Sequence, residues 1–199
     1  MRWDNLFDDL EGQLEQELSA EEVDLQAEEE RLRLGRLSLR DRIISLHEAQ
    51  DRDADYSLRV ELIDGSVMNL RPTTFGRDWF AADLVGDRAR GQCIVPLAAV
   101  ASLQLPRDQI LVSVDATPGE TSGQSLAARL SLPFVLRDLC RRRSGIELRT
   151  PRGSLFGTID RVGRDHLDLA VHERGAPRRE AVVVHYRVVP LSQVVLVRV

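Results

Sequence analysis

The chain has 199 residues, of which 43% are hydrophobic and 30% charged, with a formal net charge of −5. This length allows one large domain or two small ones, and the hydrophobic share suffices for packed cores. No uninterrupted apolar run approaches the ~18 residues of a membrane span, and the N-terminus has no apolar signal core. We therefore expect a soluble, cytoplasmic protein that does not contact a membrane.

The charges are distributed unevenly along the chain. Residues 1–30 hold 12 acidic residues and one arginine, a net charge of −11. Residues 130–199 hold 13 arginines against seven acidic residues, a net charge of +6. The chain contains no lysine, so every cationic side chain that stays charged is a guanidinium. Charged partners are therefore expected to meet opposite ends of the chain.

Residues 1–34 are predicted to form an acidic amphipathic helix. Apolar residues recur at helical spacings over this range, and acidic residues fill the remaining faces. Because about three heptads with an irregular apolar seam are marginal alone, the helix needs a partner surface. The residues predicted to bind a partner are Trp3, Leu6, Phe7, Leu10 and Leu14.

Three roles of this helix remain open. In the first, it docks or dimerises through its apolar face, and the acidic residues are its solvated face. In the second, it is a recruitment peptide that inserts Trp3, Leu6, Phe7 and Leu10 into the groove of another protein. In the third, its acidic residues screen the basic second half of the chain until a nucleic acid displaces them.

Two longer repeats follow the helix. LSLRDRIISL (37–46) resembles LSLPFVLRDL (130–139), and each can begin a helix at a serine N-cap, Ser38 or Ser131. Each helix precedes five short strands with alternating apolar residues and glycine-containing turns. Five such strands cannot bury a face as a flat sheet, so we expect each set to curl into a small barrel.

The predicted fold is therefore mainly β with helices (α+β), with two tandem five-stranded barrels, each preceded by a helix, and an N-terminal acidic helix. The predicted domains are the helix 1–34, the first repeat 37–105, a linker 106–129 and the second repeat 130–199. The fourth and fifth strands of the repeats are expected to pack edge to edge, or to join copies of the chain into a homo-oligomer.

This pattern resembles the Sm-like superfamily, which includes the Sm, LSm and Hfq proteins. The likeness is carried by the leading helix, the five strands, Gly157 in a second strand, the Gly-Arg-Asp turn at 163–165 and the closing VVPLSQV (188–194). It covers 37–105 and 130–199. The resemblance implies Sm-like barrels that assemble through their edge strands and bind RNA.

Two positions differ from the RNA-binding pattern of that family. The base-contacting asparagine position is occupied by Asp168 in the second repeat and by Ala81 in the first. The Arg-Gly position before the last strand is occupied by Val-Pro-Leu, at 95–97 and 189–191. The resemblance therefore implies RNA binding without the family's usual reading of a uridine base.

The arginines of the second repeat are the predicted polyanion-binding residues. The tract CRRRSG (140–145) ends a predicted helix with three arginines, which also complement the helix dipole there. If these converge with arginines of the following strands and loops, they form a basic patch that binds phosphates. The predicted nucleic-acid-binding residues are Arg141, Arg142, Arg143, Arg149, Arg152, Arg164, Arg178 and Arg179.

No catalytic, cofactor or metal-binding signature is found in the sequence. Nucleophile-elbow, phosphate-loop and zincin motifs are missing. His166 and His172 would lie about 20 Å apart on a regular strand, which is too far for one ion. Cys93 and Cys140 are interpreted as free thiols.

We therefore expect a non-enzymatic binding module without a cofactor or metal. In the first reading, it binds RNA or another polyanion through the arginine-rich second barrel. In the alternative, it is a protein-interaction scaffold or adaptor that acts through the N-terminal helix and the barrel edges. Convergence on one open face would favour the first reading, and dispersal, or coverage by the acidic helix, would favour the alternative; the arginines concerned are Arg149, Arg152, Arg164, Arg178 and Arg179.

Overall fold

The structure is a computed structural model that describes residues 22–50, 56–86, 91–115, 126–174 and 183–199. Residues 22–36 are helical and form α1. The other helices and strands are, in chain order, α2 (Leu39–Gln50), β1 (Leu58–Leu62), β2 (Val67–Phe75), β3 (Trp79–Leu84), β4 (Gln92–Pro96), β5 (Val100–Gln104), α3 (Arg107–Val114), α4 (Leu126–Arg129), α5 (Leu132–Arg142), β6 (Gly145–Thr150), β7 (Gly153–Val162), β8 (His166–Val171), β9 (His185–Pro190) and β10 (Leu196–Arg198). A 3-10 turn joins β4 to β5, and another joins β9 to β10.

The ten strands of the described ranges form one antiparallel sheet, in the order β5-β1-β2-β3-β4-β10-β6-β7-β8-β9. The α+β class agrees with the prediction, but the prediction of two closed five-stranded barrels is wrong. Closure of the first strand set, β1 to β5, would require β4 to pair with β5, whereas β4 pairs with β3 and β10. In the second strand set, β6 to β10, β9 pairs only with β8 among the described residues. The sheet is therefore open at β5 and at β9.

Both strand sets have the same internal order. In each set the fifth strand pairs with the first, and the second, third and fourth strands follow. The β4–β10 ladder joins the sets, with Ile94 opposite Val197 and Cys93 opposite Arg198. The expected edge-to-edge pairing of a fourth strand with a fifth strand is therefore confirmed inside one chain.

Equivalent turns and bends shape the two sets. The β1–β2 and β6–β7 turns contain Gly65 (φ +79°) and Gly153 (φ +123°), whose left-handed backbone favours a residue without a Cβ. A β-bulge interrupts the second strand of each set, between Pro72 and Thr74 in β2 and between Ile159 and Arg161 in β7. Because a bulge bends its strand, each set curves around its own core.

Near the β4–β10 ladder, each of the two cores contains residues of the other strand set. Leu196 of β10 is buried in the core of the first strand set, whereas its neighbour Val197 is buried in the core of the second. Trp79 and Ile94 belong to the first strand set and are buried in the second core. Successive residues of a strand point to opposite faces, so one ladder can serve both cores.

A turn of the first strand set also holds the start of α5. Arg77 N–H donates to the Leu130 carbonyl at 2.9 Å, and Trp79 Nε1–H donates to the same oxygen at 3.0 Å. Asp78 Oδ1 accepts from Leu132 N–H at 2.7 Å. The β4–β10 ladder and these contacts between 76–79 and 130–132 together form what we call the internal seam.

The helices pack on the sheet to different extents. Leu132, Leu136 and Leu139 of α5 are buried at helical spacing and pack in the second core. Ile43 and Leu46 of α2 are buried in the first core. In contrast, α1 exposes its apolar residues, so the described part of the predicted acidic helix does not bury an apolar face.

The range 106–129, interpreted from the sequence as a linker, contains α3 and α4.

Candidate nucleic-acid interface

The C-terminal end of α5 carries three consecutive arginines. The helix ends at Arg142, and Arg143 adopts a left-handed conformation with φ 52° and ψ 38°. The Arg143 N–H donates to the Cys140 carbonyl, and the Ser144 N–H donates to the Leu139 carbonyl. These bonds satisfy carbonyl groups of the last helical turn. A Cβ makes this conformation about 1–2 kcal/mol more costly than it is for glycine. Arg143 therefore extends from a strained backbone position.

A groove with a volume of about 360 Å³ lies beside this helix end. Three arginines and one aspartate line it, which gives the lining a net charge of +2. Planar guanidinium groups match the geometry of phosphate oxygens and bind them through charge-assisted hydrogen bonds. The residues that define this arginine groove are Cys140, Arg141, Arg143, Ile159, Asp160 and Arg161.

The walls of the arginine groove are fixed by the packing of α5 on β7. Ile159 is fully buried in the second core, and Cys140 Sγ–H donates to the Asp160 carbonyl at 3.3 Å. The bulge in β7 falls between Ile159 and Arg161 and so interrupts the regular alternation of that strand. The bulge thus accounts for Arg161 lining the same groove as the two helix-end arginines.

Carboxylates near the groove compete only weakly for its arginines. Arg141 Nη2 and Arg142 Nε contact opposite oxygens of Asp138, at 3.0 and 2.6 Å. Arg161 Nη1 lies 3.8 Å from Asp168 Oδ2. These guanidinium groups are largely exposed, and exposed ion pairs contribute about 1 kcal/mol or less. A phosphate can therefore replace these carboxylates as the partner.

An exposed aromatic side chain lies on the same helix. Phe134 is exposed on α5 and precedes Arg141 by seven residues, or two helical turns, so both lie on one face of the helix. Arg137 lies between them, and its Nη2 donates to the Gly163 carbonyl at 3.2 Å. An aromatic ring beside a row of guanidinium groups is a surface on which a nucleic-acid base can stack.

The structure separates the other predicted arginines from the groove. Arg149 reaches across to the first strand set, where its Nη1 donates to Ser66 Oγ at 3.2 Å and its Nε lies 3.9 Å from Asp64 Oδ2. Arg152 is exposed in the β6–β7 turn, and Arg164 is exposed in the turn before β8. Of the predicted arginines that lie in the described ranges, only Arg141 and Arg143 line the arginine groove.

Several predicted residues lie outside the part of the chain that the structure describes. They are the predicted nucleic-acid-binding residues Arg178 and Arg179 and the predicted partner-binding residues Trp3, Leu6, Phe7, Leu10 and Leu14. Arg161 and Phe134 are not among the residues that the sequence predicts for the interface. The seven-residue spacing of Phe134 and Arg141 was a usable signal, whereas the bulge at Arg161 leaves no trace in the sequence pattern.

His172 and Cys93 are buried inside the protein. His172 is buried, with its Nε2 2.9 Å from Thr158 Oγ1 and its Nδ1 3.0 Å from the Glu173 carbonyl. Burial raises the pKa of the Cys93 thiol to about 12. Within the described ranges, no group of three or more His, Cys, Asp or Glu residues is placed to hold a metal ion.

None of the helices in the described ranges is both long and apolar enough to cross a membrane. The likeness to the Sm-like superfamily stays a prediction. Comparison with protein-family models, curated proteins and solved structures finds no match to this chain.

Proposed function

We propose that this chain is a non-enzymatic binding module that holds RNA or another polyanion in the arginine groove of its second strand set. The observation that carries the proposal is the convergence of Arg141, Arg143 and Arg161 around one groove. Backbone phosphates are bound chiefly by arginine and lysine, and the arginines here are the available cations. The proposal assigns no catalytic reaction to the groove.

The arrangement favours contact with a single strand. One phosphate group in the groove would be within reach of several guanidinium groups at once, which strengthens each contact. Phe134 lies about 10 Å along the helix axis from Arg141, and stacking of one base on it would contribute about 1–3 kcal/mol. We therefore expect preference for single-stranded over double-stranded nucleic acid and little discrimination between bases.

Fluorescence anisotropy with a labelled single-stranded RNA tests this function. The groove variant is R141Q/R143Q, and the matched control is R59Q/R107Q, which removes the same charge from exposed residues of β1 and α3. We expect the groove variant to bind at least tenfold more weakly. Each lost phosphate contact should also reduce the slope of log K against log salt by about 0.7.

The control decides between a site and a general charge effect. The proposal requires R59Q/R107Q to bind within about twofold of the wild type, since non-specific attraction would weaken both variants equally. An equal loss in both variants would contradict it. So would the absence of any binding by the wild-type protein at micromolar concentration.

The strained backbone of Arg143 provides an independent test. The substitution R143G removes both the strain and the guanidinium, so we expect the free energy of unfolding to rise by about 1 kcal/mol. We expect RNA affinity to fall in the same variant. Urea denaturation and anisotropy measure the two effects. A variant that gains stability and keeps full affinity would show that Arg143 does not bind the polyanion.

A further inference from the structure

The lining of the arginine groove carries more positive charge than one internal phosphodiester can balance. Three guanidinium groups and one carboxylate give it a net charge of +2, whereas each phosphodiester of a nucleic-acid backbone carries one negative charge. We propose that the groove holds the terminal phosphate monoester of a single-stranded RNA, so that the strand ends there. This inference rests on the function proposed above, and the ligand group can be a 5′-phosphate or a 3′-phosphate.

A phosphate monoester matches the groove in charge and in its number of oxygens. Its charge at pH 7 is about −1.5 to −2, because its second pKa is near 6, and it presents three acceptor oxygens. An internal phosphodiester uses one more oxygen in an ester bond and keeps a single charge. Since three arginines line the groove, each oxygen of the monoester can accept hydrogen bonds from a different guanidinium group.

The three arginines approach the groove from two sides. Arg141 and Arg143 belong to the end of α5, and Arg161 belongs to β7. The hydrogen bond from Cys140 Sγ–H to the Asp160 carbonyl joins the helix end to the strand. The side chains of Arg141 and Arg161 are 70% and 84% exposed, so both can turn toward a ligand without breaking contacts of the core.

The helix C-terminus opposes anion binding but does not outweigh the arginines. A helix end of this kind carries about half a negative charge. The Arg143 and Ser144 N–H groups donate to carbonyl groups of the last turn, which reduces that charge further. The potential in the groove therefore stays positive. Because Coulomb attraction is proportional to the charge of the ligand, a dianion gains more from this potential than a monoanion does.

The surfaces on the two sides of the groove indicate the direction of the strand. Toward the start of α5, Arg137 and Phe134 offer a further cation and an exposed aromatic ring. Across the sheet, Arg161 is followed by Asp168 in β8, and Asp168 by the exposed Val188 in β9, since cross-strand partners share a face. A strand that crossed β8 would place a phosphate beside the Asp168 carboxylate. The RNA therefore runs along α5 and ends in the groove.

Fluorescence anisotropy with three RNAs of one sequence tests the inference. One RNA has a 5′-phosphate, one has a 3′-phosphate and one has hydroxyl groups at both ends, and all are labelled at an internal nucleotide. We expect a phosphorylated RNA to bind about tenfold more tightly than the hydroxyl RNA. The RNA with the larger gain identifies the end that enters the groove.

The gain should depend on the second ionisation of the phosphate. It should shrink as the pH falls from about 7.5 to about 5.5, where the monoester loses its second charge. The charged groups that face the ligand are the three arginines and Asp160 of the lining, with Asp138 of α5 and Asp168 of β8 beside them. The six lining residues include no histidine, so the ionisation of the ligand itself should dominate the change.

The substitution R161Q and the matched control R164Q assign the gain to the groove. Each removes one positive charge from an exposed side chain of the second strand set, so both variants should fold. In R161Q the gain from the terminal phosphate should fall below about threefold, because one of the three guanidinium groups is lost. R164Q should keep the full gain, because Arg164 does not line the groove.

The possible failures of this inference and of the proposed function differ. If all three RNAs bind within about twofold of each other and R141Q/R143Q weakens binding, the terminal-phosphate inference is wrong and the proposed function stands. If the wild type binds none of the RNAs at micromolar concentration, both are wrong. A gain that R161Q keeps, or that does not change with pH, would also overturn the inference.

Discussion

The starts of α2 and α5 have nearly the same sequence but different caps. In α2, Ser38 N–H and Oγ–H both donate to Asp41 Oδ2, at 3.1 and 2.6 Å, and Asp41 N–H donates back to Ser38 Oγ. In α5, Ser131 makes no side-chain cap, and Phe134 stands where α2 has Asp41, so no carboxylate can complete a capping box. A carboxylate of the first strand set, Asp78, caps α5 instead.

This difference shows that α2 is capped locally, whereas α5 depends on the first strand set. A reciprocal capping box satisfies helix N–H groups within one turn of chain. The cap of α5 exists only when the internal seam is closed. Since both cores also share residues across the seam, we expect the two strand sets to unfold together, and seam substitutions to cost more than substitutions at their counterparts in the other strand set.

The largest expected effect is at Trp79. This side chain is buried in the second core and donates to the Leu130 carbonyl, so W79A should lower the free energy of unfolding by about 4 kcal/mol. The counterpart substitution H166A removes an exposed side chain and should change it by less than about 0.5 kcal/mol. Urea denaturation compares the two. Similar losses of unfolding free energy in W79A and H166A would show that the seam position is no more important for stability than its counterpart.

Leu196 should give the next largest effect. L196S copies the residue that its counterpart Ser102 provides at the open edge, and it places a hydroxyl in the first core. The expected loss is about 3 kcal/mol. The substitution lies in the second repeat although the core it damages belongs to the first. Chemical-shift changes around Phe80 should therefore accompany the loss, and changes confined to the second core would contradict the exchange of core residues.

A smaller effect is expected at the cap of α5. D78A removes the acceptor for Leu132 N–H and should cost about 1.5 kcal/mol. The substitution F134D gives α5 the serine–aspartate pair that α2 has, so D78A should cost less in an F134D background. A double-mutant cycle by urea denaturation measures this coupling. Additive losses would show that Asp78 acts through something other than the helix start.

Local features of the fold were predictable from the sequence because their causes are local. The turn at Gly153 follows from glycine chemistry, and the helix start at Ser38 follows from its capping box with Asp41. The openness of the sheet was not predictable. An apolar residue in a strand, such as Leu196, indicates burial but does not tell which core it enters. Whether the first strand set closes depends on whether β4 pairs with β5 or with β10, and these two strands have similar apolar patterns.

The same limit applies to the candidate site. Arg141 and Arg143 come together because one helix end carries both, and that end is visible in the sequence. Arg149 falls within the same arginine-rich repeat, yet it hydrogen-bonds Ser66, 83 residues away, because β6 lies near the turn of the first strand set. Arg161 joins the groove at a bulge. Charge counts therefore indicate a basic repeat but not which arginines share a surface.

The smallest predicted effect concerns the interior of the first core. Tyr56 is buried there, and its hydroxyl is the one buried side-chain polar atom in the described ranges without a hydrogen-bond partner. A buried hydroxyl without a partner loses its hydration and gains nothing in return. The substitution Y56F should therefore raise the free energy of unfolding by about 1 kcal/mol. Urea denaturation at neutral pH measures the gain.

Alkaline pH sharpens the test of Tyr56. Burial raises the pKa of its hydroxyl above the ordinary 10.0, so the unfolded chain releases this proton first. The stability of the wild type should therefore fall as pH rises above 10.0, while Y56F lacks this contribution. The Cys93 thiol, with its pKa raised from 9.0 to about 12, acts in the same direction in both proteins. The difference between them consequently isolates Tyr56. It should widen with pH, and a constant difference would mean that the hydroxyl is hydrated in the folded protein.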